Sequence, residues 1–102
     1  MGGGVPEARY KHCTITIDKK LLIVGGINQN ARLGNIYEFN TETRLWSMIV
    51  INKNKGIFKG RYGHSCCLVD NGKNLLIFGG SEDEKKNDII RFEINSGNFQ
   101  KI

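Results

Sequence analysis

The chain has 102 residues, 39% of them hydrophobic and 25% charged, with a formal charge of +5 and 13 glycines against 1 proline. That length holds one modest core, and the composition is that of an ordinary globular chain, not of an acidic disordered segment. No run approaches the roughly 18 to 20 apolar residues of a membrane helix, and Met1–Tyr10 lacks the apolar stretch of a secretory leader, so an intracellular, cytoplasmic protein without membrane contact is expected.

Residues 1–5, with Gly2, Gly3 and Gly4, read as a disordered or non-native start. After Arg9-Tyr10-Lys11-His12, the stretch His12–Ile17 alternates with β-branched residues, Leu21–Val24 is a wholly apolar run, Ile36–Phe39 alternates again, and Leu45–Ile51 follows with Trp46 near its head. Each reads as a strand, and the polar breaks at Asp18-Lys19-Lys20, Asn28–Leu33 and Asn40–Arg44 read as turns. The second half repeats this at His64–Val69, Asn74–Phe78, Ile89–Ile94 and Asn98–Ile102, with Asp70-Asn71-Gly72-Lys73 as a hairpin turn. No window carries a helical period. The glycine excess fits, because tight turns at fixed places need it.

The two halves are copies. Arg9-Tyr10-Lys11-His12 recurs as Arg61-Tyr62-Gly63-His64, and Leu21-Leu22-Ile23-Val24-Gly25-Gly26 recurs as Leu75-Leu76-Ile77-Phe78-Gly79-Gly80. Asn35–Phe39 answers Asp88–Phe92, and Trp46 answers Phe99. Order and spacing survive across all four landmarks, the signature of a repeat architecture. Gly25-Gly26 and Gly79-Gly80 permit positive φ and close backbone approach at the exit from an apolar strand. Trp46 and Phe99 offer large apolar faces suited to packing against a neighbouring unit.

An Arg-x-x-His opening, an apolar run closing on a glycine doublet, an aromatic third strand bearing Tyr37 and a Trp-led fourth strand resemble the kelch repeat. The resemblance covers Pro6–Ile102 and implies an all-β fold of two four-stranded antiparallel propeller blades, at 6–53 and 60–102, joined by a linker at 54–59. The second unit departs from the pattern at Ile90 and Phe99, where Tyr and Trp are usual, which predicts a weaker outer strand there. Propellers close with about four to eight blades, and repeat arrays need roughly three units for stability. Completion by further kelch blades is therefore expected, from the same longer protein or from other copies. The strand phase makes each blade contiguous, with no strand exchanged between the ends.

Chemistry-bearing residues are few. His12 and His64 occupy equivalent places in separate repeats, which suits structural hydrogen bonding better than metal binding. Cys13, Cys66 and Cys67 are odd in number and lack Cys-x-x-Cys spacing, so a disulfide or zinc site is not expected and they read as small buried hydrophobes. In His64-Ser65-Cys66, alternation sends neighbours to opposite faces, which breaks up any nucleophilic cluster. No catalytic, metal or cofactor-binding residue is assigned.

The basic excess lies before Gly60, and Lys53, Lys55 and Lys59 with Arg61 just beyond form the densest basic cluster, read as a solvated connection. The charged turn Glu82-Asp83-Glu84-Lys85-Lys86 reads as solvated surface. Functional residues are then expected in the blade-end loops: Asn28, Gln29, Asn30 and Arg32 in one, Glu82–Lys86 in its counterpart, and Lys53, Lys55 and Lys59 between blades. The resemblance implies a non-catalytic scaffold binding a protein partner. The alternatives are a share of a metal- or sugar-directed kelch-like enzyme site, and an acidic partner held by the Lys53–Arg61 stretch; nucleic acid is not expected.

Overall fold

A computed structural model describes residues 5–29, 31–54, 57–82 and 86–102. Four strands, β1 (Cys13–Ile17), β2 (Lys20–Val24), β3 (Ile36–Asn40) and β4 (Leu45–Met48), are followed by β5 (Ser65–Val69), β6 (Asn74–Phe78), β7 (Ile89–Glu93) and β8 (Asn98–Lys101). Each set forms an antiparallel meander in chain order, and no helix occurs among the described residues. β-branched and aliphatic runs supply the strands, and short polar residues supply the turns. Asp18, Asp70 and Asn71 hold φ of 51°, 55° and 56°, left-handed geometry that Asp and Asn tolerate better than most residues.

The sheets fan out from their first strands: among the described residues, β1 and β5 are the strands of different sheets whose backbones approach. Val24 and Ile36 of the first sheet meet Leu75, Ile77, Ile90, Phe92 and Phe99 of the second in one core. Equivalent aromatic pairs face each other across the last two strands. Phe39 lies opposite Trp46 with ring centroids 4.8 Å apart, and Phe92 lies opposite Phe99 at 4.6 Å. Phe99 is buried between the sheets, whereas Trp46 stays half-buried with Phe39 of its own sheet as its ring partner.

The connection between sheets is only in part the solvated loop its composition suggests: Lys53 and Lys59 are exposed, but Phe58 and Arg61 are buried. Phe58 is 2% exposed, stacks on Phe99 at 5.2 Å and meets the His64 ring edge-on at 6.5 Å. Asn54 fixes it there: its Oδ1 accepts from the Phe58 N–H at 2.7 Å and its Nδ2 donates to the Phe58 carbonyl at 2.6 Å. Just before, the Asn52 N–H donates to the Gly97 carbonyl at 2.7 Å and the Phe99 N–H donates to the Lys53 carbonyl at 2.8 Å. The segment leading into the linker, at Asn52 and Lys53, thus runs along the outer edge of β8. That strand, expected to be the weaker, matches β4 in length and has its edge covered.

The cysteines also depart from expectation. Cys13 and Cys66 are joined as a disulfide with Cα atoms 6.3 Å apart, and Cys67 is free and exposed. The cause is strand alternation. Cys66 turns toward β1 and meets Cys13, while the next side chain, Cys67, turns away from the first sheet.

A polar seal closes the same junction. His64 is buried, and its Nε2–H donates to the Val24 carbonyl at 2.8 Å, while the Gly26 N–H donates to the Arg61 carbonyl at 2.9 Å and the Gly63 N–H to the Lys11 carbonyl at 2.9 Å. Gly25 has φ of 64°, and a Cβ there would stand 2.8 Å from the Arg61 carbonyl oxygen and 2.9 Å from the His64 ring. The first glycine of the doublet is thus required by the neighbouring blade as well as by its own turn.

Burial pushes the His64 imidazole below its ordinary value. The Val24 carbonyl works in the other direction, and the charge of Arg61 and the nearby His12 add to the fall. Protonation would place charge on Nδ1, which is buried without a hydrogen-bond partner among the described residues. The unfolded chain takes up a proton near pH 6.5 that the native state refuses, so this contribution to stability is complete above pH 6.5 and is lost as pH falls through the depressed native value. Wild-type protein is expected to lose urea resistance between pH 7.5 and 5.5, and His64→Gln, which keeps a donor without titrating, to lose less. Parallel pH profiles for the two would exclude this role. Asp88, held low chiefly by its hydrogen bond from Arg61, acts in a more acidic window, near and below the ordinary carboxylate range.

Candidate functional site

The β2–β3 loop of the first sheet, the linker and the start of the β6–β7 loop converge at one end of the molecule. They enclose an open groove of about 630 Å³ lined by Ile27, Asn28, Gln29, Ala31, Arg32, Lys59, Tyr62 and Glu82. Five residues expected in partner-binding loops, Asn28, Gln29, Arg32, Lys59 and Glu82, therefore meet although they come from three separate segments. Lys53 does not join them, because its backbone is bridged to Asn98 at the far edge of β8. Asn30, Lys55, Asp83, Glu84 and Lys85 lie outside the described residues.

Local bonding shapes each lip. The Asn28 Oδ1 accepts from the Ala31 N–H at 2.9 Å, and its Nδ2 donates to the Glu7 carboxylate at 3.2 Å, so Asn28 orders its loop. Tyr62 and Ser81 exchange both backbone hydrogen bonds, at 3.1 and 2.9 Å, which pins the second lip. The Tyr62 ring carries Lys11 Nζ at 5.6 Å from its centroid. Gln29 and Lys59 are exposed, and Arg32 is half-buried. Tyr62 and Ile27 were not among the expected site residues; Tyr62 stood in the Arg61–His64 repeat, where its proximity to the Asn28 loop is visible only once the blades pack.

Glu82 and Arg61 depart from the solvated surface expected of them. Arg61 is fully buried. Its Nε and Nη2 donate to the Glu82 carboxylate at 3.0 and 2.7 Å, and its Nη1 donates to the Gly79 carbonyl at 2.9 Å and the Asp88 carboxylate at 3.0 Å. Lys86 Nζ lies 3.9 Å from Glu82. The negative charge of Glu82 is thus committed inward, and Arg32 and Lys59 line the groove beside it. Arg9 repeats the arrangement with a neutral partner, donating to the Gly25 carbonyl at 3.0 Å and to Asn35 Oδ1 at 2.9 Å, and its guanidinium lies 5.4 Å from the Tyr37 ring centroid.

A second groove of about 610 Å³ opens at the hairpin end, beside Ile17, Lys19, Lys20, Glu38 and Glu42. Its charges are already matched, Lys19 with Glu42 at 2.8 Å and Lys20 with Glu38 at 3.0 Å, which leaves less to offer a ligand. Among the described residues no three His, Cys, Asp or Glu side chains cluster as a metal site would require.

Two four-stranded meanders, each leaving its second strand through a glycine doublet and packed together from their first strands, are consecutive blades of a β-propeller. The profile of the KLHDC2/KLHL20/DRC7 Kelch-repeats domain matches residues 1–102, and the chain belongs to this kelch-repeat family. It is 36% identical over 97 residues to Kelch domain-containing protein 3 of Bos taurus, covering 90% of this chain and 24% of that protein. It is 31% identical over 106 residues to the Rho GTPase-activating protein gacHH of Dictyostelium discoideum, covering 99% of this chain and 7% of that protein. To tRNA wybutosine-synthesizing protein 4 of Saccharomyces cerevisiae it is 38% identical over 79 residues, 74% of this chain and 10% of that protein. The chain therefore spans about a quarter of Kelch domain-containing protein 3 and less of the other two.

Proposed function

We propose that this chain is a non-catalytic interaction scaffold whose two blades, 6–53 and 60–102 with the connection at 54–59, bind a protein partner in the loop-end groove. The observation that carries this reading is the convergence of Gln29, Arg32, Lys59 and Tyr62 from different segments into one groove. Strand side chains are committed to packing, whereas this end offers amide, aromatic and cationic groups together, a set suited to a polar or acidic peptide segment. Among the described residues of the basic stretch, Lys59 reaches the groove, and Arg61 is buried. The setting proposed is cytoplasmic, and there Cys13 and Cys66 would stand as facing thiols. None of the described helices could cross a membrane, because there are none.

Arg32→Glu combined with Lys59→Glu is expected to lower recovery of proximity-labelled partners in cells at least about tenfold, which corresponds to roughly 1.4 kcal/mol. Lys19→Glu, at the hairpin end, is expected to leave them in place. Retention of the same partners by the double variant would refute the groove as the binding surface.

A further inference from the structure

We infer that Cys13 and Cys66 form a reversible redox site, a dithiol that hydrogen peroxide converts to a disulfide, fastening the first blade to the second. The two cysteines lie on β1 and β5, which among the described residues are the strands of different sheets whose backbones approach. Their Cα atoms are 6.3 Å apart, inside the range of about 4.4–6.8 Å that a bridge spans without backbone movement. Both are half-buried, so peroxide and small thiols can reach the sulfurs in the folded chain, whereas a wholly buried pair would be inert. The pair is not a landmark of the repeat. Ser65 and Thr14 stand at the corresponding places in the other blade, so this one junction is singled out. Cys67 is exposed, but alternation turns it away from β1 and it cannot close the bridge.

In the cytoplasmic setting proposed above the resting state is the dithiol, and nothing else of that proposal bears on the site. The thiolate of one cysteine attacks a peroxide oxygen, the O–O bond breaks, and hydroxide leaves and takes up a proton to become water. The sulfur is then a sulfenic acid. The thiolate of the other cysteine attacks that sulfur, the S–S bond forms and the S–O bond breaks, releasing a second water. Two electrons have passed from the sulfurs to the peroxide, and a dithiol reductant returns them through a mixed disulfide. The bridge fastens a seam that is otherwise held by weaker bonds. Close to the sulfurs, the Gly63 N–H donates to the Lys11 carbonyl, and the His64 Nε2–H donates to the carbonyl of Val24, which lies opposite Cys13 in the β1–β2 register. Oxidation also closes a span of 53 residues, and removing that loop's freedom from the unfolded chain is worth roughly a thousandfold in the unfolding equilibrium.

The purified chain, reduced with dithiothreitol and then exposed to hydrogen peroxide without denaturant, tests this. Tryptic peptides 12–19 and 62–73 are expected to be recovered linked, with the Cys67 thiol still open to alkylation, and to separate again when dithiothreitol is added to the folded chain. The oxidised form is expected to unfold in urea with an equilibrium constant roughly a thousandfold below that of the reduced form, and its Gly63 amide to exchange hydrogen more slowly. Cys13→Ser and Cys66→Ser replace half-buried side chains by near-isosteres; both are expected to be folded by circular dichroism and to lose the peroxide response, whereas Cys67→Ser keeps it. A bridge that dithiothreitol opens only in urea is a permanent structural bond and overturns the inference. So do peptides that fail to link, oxidation that stops at a sulfinic acid on either cysteine, linkage through Cys67, or equal urea midpoints for the two forms.

Discussion

Arg61→Met is expected to destabilise the protein by about 3–5 kcal/mol, the usual cost of removing one partner from a buried ion pair. The guanidinium is fully buried between Glu82, whose side chain is 7% exposed, and Asp88. Met can fill the volume, but it loses the guanidinium's place over the Phe58 ring, 5.7 Å from its centroid, and leaves the buried Glu82 with the more distant Lys86, at 3.9 Å, in place of its close cation. Pairing the change with Glu82→Gln should restore part of the loss, because the uncompensated charge is removed. Arg9→Met, at the equivalent place with a neutral Asn35 partner and more solvent, is expected to cost about 1 kcal/mol, the scale of an ordinary hydrogen bond. Urea titrations of the three variants and the wild type measure this, and an Arg61→Met cost no greater than that of Arg9→Met would show that the buried cluster contributes nothing special.

Phe58→Ala is expected to cost about 3–5 kcal/mol, a magnitude typical of emptying a core phenylalanine site, although the residue lies in the connection between blades. Its ring is buried against Phe99 and His64, and its removal would leave a void at the junction as well as loosening the turn held by Asn54. Lys59→Ala, one position further along and exposed, is the control and is expected to change stability by less than about 0.5 kcal/mol. Equal midpoints for the two variants would mean that the linker does not belong to the core.

The same two residues show where sequence reading stops. The strands were legible because each is a short apolar or alternating run bounded by Asp, Asn or Gly, and the repeat gives every boundary twice. Phe58 belongs to no such run. A single aromatic among Asn, Lys and Gly has no period to announce burial, and only the blade packing supplies its neighbours. Arg61 was readable as a repeated landmark but not as buried, since its carboxylates lie 21 and 27 positions away and charge near lysines looks like surface. Cys13 and Cys66 were obscured by Cys67, which made the cysteine count odd. Their separation of 53 residues is one repeat length, yet which faces meet depends on how the blades stack. The groove was legible as loop composition, and its convergence was not, because Lys59 and Gln29 become neighbours through tertiary packing alone.

The Cys13–Cys66 bridge also sets how the protein would carry load. If the chain were pulled from its ends, the bridge would transmit tension directly from β1 to β5, bypassing the 53-residue span it closes. In oxidised protein β2, β3, β4 and the linker would be shielded, and the fully stretched contour would be shorter by roughly 180 Å, taking about 3.4 Å per residue. Reduction would return that hidden length, so one bond decides whether the first blade yields to force or is bypassed by it.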